Sequence, residues 1–97
     1  GYAAVFARQV MGLAKKGDLV IAISTSGNSA SVLEGAKAAR RLGVRTIGFT
    51  GQAGGKLKRL VNICFCAPSK ITARIQECHI TAGHIVCEVI ENEFFSF

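Results

Sequence analysis

The sequence lacks several features that would each point elsewhere. No apolar run in it is long enough to cross a bilayer, and no signal-peptide pattern occurs within these residues, so a cytoplasmic setting is expected. Its four cysteines, Cys64, Cys66, Cys78 and Cys87, include no C-x-x-C pair, which argues against a zinc site built from them. Free, buried, reduced thiols are expected instead. G-x-x-x-x-G-K-[ST] is absent, which excludes an ATPase phosphate loop, and no H-E-x-x-H occurs. There is no internal repeat, low-complexity tract or linker. Acidic residues are few: six Asp+Glu against twelve Lys+Arg give a net charge of +6. That balance fits an anionic partner. The basic residues are scattered, however, with no aromatic interleaved as a stacking platform requires. Solvated helix faces account for them, and neither nucleic acid nor a membrane is expected as a partner.

What is present fits one domain of 97 residues. The hydrophobic fraction of 49% and mean hydropathy of +0.36 are high for so short a chain, because small domains bury proportionally less surface. The excess implies apolar faces covered by partners or by further sequence. The chain also opens inside an apolar, helix-like pattern, so a portion of a longer protein is expected.

Residues 2–15 read as a helix, with Val5, Phe6, Gln9, Val10 and Leu13 at helical spacing. Leu19-Val20-Ile21-Ala22-Ile23 is an unbroken apolar run, suited to a parallel strand covered on both faces. A second helix is expected over residues 29–42, with Val32, Leu33, Ala36 and Ala39 inward and Gly43 as its stop. A strand over 44–49, a turn at Ala53-Gly54-Gly55, a short helical piece over 56–60 and a third strand over 61–66 follow, with Cys64 and Cys66 pointing the same way. A long helix over 71–95 closes the chain, capped by Ser69 or Thr72, with Ile75, Ile80, Ile85, Val86, Val89 and Ile90 at its apolar positions. The alternation predicts an α/β fold: a parallel sheet with helices on both faces.

Between the first strand and the second helix lies Ser24-Thr25-Ser26-Gly27-Asn28-Ser29. Ligands of open parallel sheets bind beyond the carboxyl ends of the strands. Here that position offers hydroxyls, the amides of a helix start, and one glycine that lets backbone approach an anion. The alternative is a capped helix start with Ser or Asn as N-cap, which accounts for one such residue and not five in a row. The last helix adds Arg74, Gln76, Glu77, His79, His84 and Glu88. His79 or His84 is a candidate proton shuttle, or a hydrogen-bonded structural residue. Gln76 and His84 lie eight residues apart, about 12 Å along a helix and roughly 80° around it, so they can only just converge on one ligand.

The segments G-D-L-V-I-A-I-S-T-S-G-N-S-A-S-V-L, T-I-G-F-T-G-Q-A-G-G-K-L and T-A-R-I-Q-E-C-H-I-T-A-G-H-I-V-C-E-V-I-E together resemble the sugar isomerase (SIS) domain, in its phosphoheptose isomerase branch. The resemblance covers nearly the whole chain. It implies a three-layer α/β/α sandwich of flavodoxin-like type, present here as its C-terminal portion without the N-terminal helices and first strand. It implies isomerisation of sedoheptulose 7-phosphate to a D-glycero-D-manno-heptose 7-phosphate, toward activated heptose for lipopolysaccharide or related glycans, by a homotetramer with sites between subunits. Ser24, Thr25, Ser26 and Ser29 match the phosphate loop. Gln76 matches a residue that contacts substrate and zinc, and His84 matches a zinc ligand also proposed as the catalytic acid/base. The family's glutamate base and another zinc-binding histidine have no counterpart in these residues, so the 97-residue chain alone is expected to be inactive. The alternative is a non-catalytic SIS protein that senses a phosphosugar or serves the replication initiator as a scaffold. The scaffold has a bulky basic residue in the loop and lacks the histidine matched by His84; here Ser26 and His84 are both present.

Overall fold

The computed structural model describes residues 2–95. A 3-10 turn, Tyr2–Ala4, leads into α1 (Val5–Leu13), followed by β1 (Leu19–Ile23), α2 (Ala30–Arg41), β2 (Arg45–Thr50), a 3-10 turn (Leu57–Arg59), β3 (Ile63–Cys66) and α3 (Thr72–Phe95). The strands form one parallel sheet in the order β1-β2-β3, with Leu19 opposite Arg45 and Ile47 opposite Ile63. The expected order of elements is therefore observed, with shifts of one to three residues at most boundaries. The first helix is shorter than expected at both ends.

Two layers of helix flank the sheet. On one side Ala22, Ala36 and Leu57 form a buried cluster, with Val32, Leu33, Leu60 and Val61 packed on it. Small residues decide how close α2 comes to its neighbours: Gly35, Ala36, Ala38 and Ala39 are buried, and a methyl added to Gly35 would lie 3.3 Å from the Phe6 side chain of α1. On the other side α3 covers the corner where Phe49 and Phe65 meet edge to face, their rings 5.7 Å apart. His79 stacks beside both.

Two packing expectations need correction. β1 is covered on one face only: Leu19, Ile21 and Ile23 are 42–54% exposed. The register puts them on the face of Phe49 and Phe65, where α3 reaches only the far corner. Of the apolar positions on α3, Ile75 is buried while Ile80, Ile85, Val89 and Ile90 are exposed. The cause is length. Twenty-four helical residues span about 36 Å, whereas strands of four to six residues span about 13–20 Å, so about half of α3 runs past the sheet. No helix among the described residues is long and apolar enough to cross a membrane.

The thiols also differ from expectation. All four are free, but Cys64, Cys66 and Cys78 are half-buried and Cys87 is exposed. Cys64 and Cys66 do point the same way, their sulfurs 3.7 Å apart and both within reach of the Thr50 hydroxyl.

Candidate functional site: a serine loop between two strand ends

The polar loop leaves the carboxyl end of β1 and enters α2. Ser24, buried at its base, holds it closed: its hydroxyl accepts from the Gly27 N–H at 3.1 Å and the Ser29 N–H at 3.4 Å. The Ser26 hydroxyl accepts from the Asn28 N–H at 3.0 Å. Gly27 sits at φ +71°, a conformation that favours glycine. Ser29 occupies the N-cap position, yet its side chain makes no cap hydrogen bond and lies against the Ser31 hydroxyl instead. The helical ladder begins at Leu33 N–H to the Ser29 carbonyl. The amides of Ala30, Ser31 and Val32 thus have no partner within the helix, as in any first turn. Plain capping does not explain the loop, because the one hydroxyl at the cap position does not cap.

A second loop, following β2, braces the first. The Gly51 N–H donates to the Thr25 carbonyl at 2.9 Å, the Leu57 N–H to the Gly27 carbonyl at 2.9 Å, and the Lys56 N–H to Asn28 Oδ1 at 2.9 Å. The two backbones are in direct contact. A methyl built on Gly27 would overlap the Gly54 carbonyl, and one on Gly55 would fall 2.6 Å from the Ser26 carbonyl. Gly54 and Gly55 read in the sequence as an ordinary turn. Their G-G dipeptide was the available signal, but nothing local indicates that it packs on a loop distant in sequence.

α3 is tied to the same place. The Ile75 side chain presses on Gly51, where a methyl would lie 2.6 Å from Ile75 Cδ1. His79 is buried, and its Nε2–H donates to the Thr50 carbonyl at 2.7 Å. Its Nδ1 is buried with no partner. His79 is therefore the structural histidine of the pair. Gln76, next to Ile75, is exposed, as is His84 two turns farther along. Ser24, Thr25, Ser26 and Ser29 lie together in the turn between β1 and α2. Gln76 lies one residue from the Ile75–Gly51 contact, and no described contact joins His84 to the loop.

The implied zinc fits these residues only in part. A catalytic zinc takes three protein ligands and one open position. Gln76 and His84 are two free donors, and no group of three His, Cys, Asp or Glu side chains among the described residues could hold a metal ion. The set is incomplete here, and no chemical step is assigned to the metal.

A parallel sheet flanked by helices, with a serine-rich turn braced at its carboxyl edge, defines an α/β domain of open-sheet type, and the SIS domain family model matches residues 1–83. The chain belongs to the SIS domain family. Among its relatives it is 57% identical over 95 residues to a phosphoheptose isomerase of Roseiflexus sp. (strain RS-1), covering 98% of this chain and 48% of the relative. It is 55% identical over 93 residues to that of Aliarcobacter butzleri (strain RM4018), covering 96% and 49%. The fold superposes on a phosphoheptose isomerase from Neisseria gonorrhoeae with a TM-score of 0.89 at 42% identity, covering 93% of this chain and 51% of that one. For the one from Francisella tularensis the TM-score is 0.91 at 35% identity, covering 95% and 50%. The chain spans about half the length of the curated relatives it matches.

Proposed function

We propose that this chain supplies the phosphate-binding half of an isomerase acting on sedoheptulose 7-phosphate. The carrying observation is the loop itself: a closed turn whose hydroxyls and free first-turn amides share the carboxyl edge of the sheet, and whose cap-position serine does not cap. The names of the relatives support the choice of sugar.

In this reading Ser24, Thr25, Ser26, Ser29 and the amides at the start of α2 hold the phosphate, with the helix N-terminus favouring its charge. Phosphate binding then positions the reacting carbons, away from the loop, for chemistry. Aldose–ketose isomerisation moves a proton between adjacent carbons through an enediol: a base removes the proton beside the carbonyl, and an acid protonates the oxygen or neighbouring carbon. His84, exposed and carrying an imidazole that can give and take a proton, is the acid/base group of this chain. Gln76 contacts the substrate. Gln76 and His84 together give two ligands to a zinc ion whose other ligands lie outside these residues; zinc, when bound, would polarise the carbonyl. The bare apolar side of α3 supports assembly into a homotetramer, and four free thiols suit a cytoplasmic enzyme.

The test is turnover of sedoheptulose 7-phosphate by the whole protein, followed by NMR. His84→Ala should abolish turnover while phosphosugar binding largely survives. Unchanged turnover in that variant refutes the assignment of His84, and no turnover in the parent protein refutes the isomerase.

A further inference from the structure

At the opposite end of the sheet the fold gathers basic residues that the sequence scatters. The approach to β3 lies beside the start of β2: Asn62 Oδ1 accepts from the Thr46 N–H at 2.9 Å and the Thr46 hydroxyl at 3.2 Å, and the Asn62 N–H donates to the Thr46 carbonyl at 3.1 Å. These bonds fix one wall of a cavity of about 410 Å³. Three arginines from three different elements line it: Arg40 in the last turn of α2, Arg45 at the start of β2 and Arg59 in the 3-10 turn. No Asp or Glu lines it. The ion pairs among the described residues, Lys37–Glu34 and Arg74–Glu77, engage none of the three arginines.

Arg40 alone has an ordinary explanation, since a cation in the last turn of a helix opposes the partial negative charge there. That does not account for Arg45 and Arg59, which come from other elements to the same cavity. Three like charges set together repel one another, and an anion between them relieves that repulsion. A guanidinium fork binds phosphate oxygens two at a time. One phosphate monoester carries about −1.5 to −2 charges, so two joined phosphoryl groups match three guanidiniums better than one. The volume lies in the range of small-molecule sites, and no aromatic side chain lines the cavity to stack on a base or sugar ring. Arg45 and Thr50 bound β2, and at ~3.3 Å per residue the cavity lies on the order of 15 Å from the serine loop, so the two cannot share one phosphate.

We propose that this cavity is a second oxyanion site, which takes a small ligand bearing a diphosphate group. It stands independently of the isomerase reading, because none of its residues belongs to the serine loop or to α3.

The test is isothermal titration calorimetry of the whole protein with inorganic pyrophosphate. Ser24→Ala/Ser26→Ala in the serine loop should leave this binding in place. Arg45→Ser and Arg59→Ser should each weaken it about tenfold or more, the size expected for a charge-assisted contact. Arg59→Lys, which keeps the charge and loses the fork, should also weaken it, and circular dichroism verifies that each variant is folded. An ADP arm separates the sources: binding as tight as that of pyrophosphate, with the same arginine dependence, assigns the site to nucleotides, and much weaker binding assigns it to free diphosphate. Absence of pyrophosphate binding overturns the proposal, as does binding that the loop variant abolishes and the arginine variants leave unchanged. Tighter binding of a short DNA duplex than of pyrophosphate, with the same arginine dependence, overturns the small-ligand assignment.

Discussion

Gly27→Ala tests whether the serine loop is held by backbone-to-backbone packing. Two costs are expected. The left-handed conformation at φ +71° costs a non-glycine residue about 1–2 kcal/mol. The new methyl also overlaps the Gly54 carbonyl and lies 3.0 Å from Gly55 Cα, and both are backbone, so the second loop must shift bodily. Overpacking of this kind costs about 1–3 kcal/mol, for a total of roughly 2–5 kcal/mol. Gly43 supplies an internal control. It has nearly the same conformation, φ +72°, but a methyl there meets nothing within 4 Å. Gly43→Ala should therefore show the conformational cost alone, about 1–2 kcal/mol. Urea unfolding of the whole protein gives both values, and titration with inorganic phosphate gives the second readout. Gly27→Ala should be the more destabilised by at least about 1 kcal/mol and should lose phosphate affinity, while Gly43→Ala keeps it. Equal destabilisation, or unchanged phosphate affinity in Gly27→Ala, refutes the packing account.

Three further outcomes are expected. Ser24→Ala removes a buried hydroxyl that accepts from two amides and should lower both stability, by about 1–2 kcal/mol, and phosphate affinity; Ser26→Ala, at an exposed position, should lower affinity with little effect on unfolding, and a reversed order contradicts the roles given to them. His79→Leu removes one of two bonds to the Thr50 carbonyl, the other coming from the Ala67 N–H at 2.9 Å, and should cost about 1 kcal/mol in urea unfolding; His79→Gln, which keeps a donor, should recover part of it, and equal losses count against the bond. Burial raises the Cys64 thiol above its ordinary value of 9.0, with Cys66 adding to the rise and Thr50 and Lys58 opposing it. The native state thus favours the protonated thiol, a contribution present below that ordinary value and lost as pH rises through the higher native one. Iodoacetamide at about pH 8, below the usual thiol range, should therefore modify exposed Cys87 before Cys64 by mass spectrometry; the reverse order contradicts this.

The path from Leu19–Ile23 into the serine loop was legible because two local signals coincide: an unbroken apolar run and a polar turn ahead of a helical pattern. The pair of histidines was not. Helical spacing shows that His79 and His84 lie on different sides of α3, but not which side the sheet occupies, and only the contact with Thr50, Phe49 and Phe65 decides it. The apolar pattern of α3 misled in the same way, since periodicity reports which face seeks cover and not what covers it. The brace supplied by Gly54 and Gly55 is a contact between loops far apart in sequence, so no local pattern carries it. The arginine cavity was hidden for the same reason: Arg40, Arg45 and Arg59 look dispersed until the sheet brings their elements together.

The most direct test of the central claim is a crystal structure of the whole protein with sedoheptulose 7-phosphate. The phosphate should lie within hydrogen-bond distance of the Ser26 hydroxyl and the amides at the start of α2, with the sugar extending toward Gln76. A phosphate seated elsewhere, with the loop from Ser24 to Ser29 making no contact to it, would contradict the account.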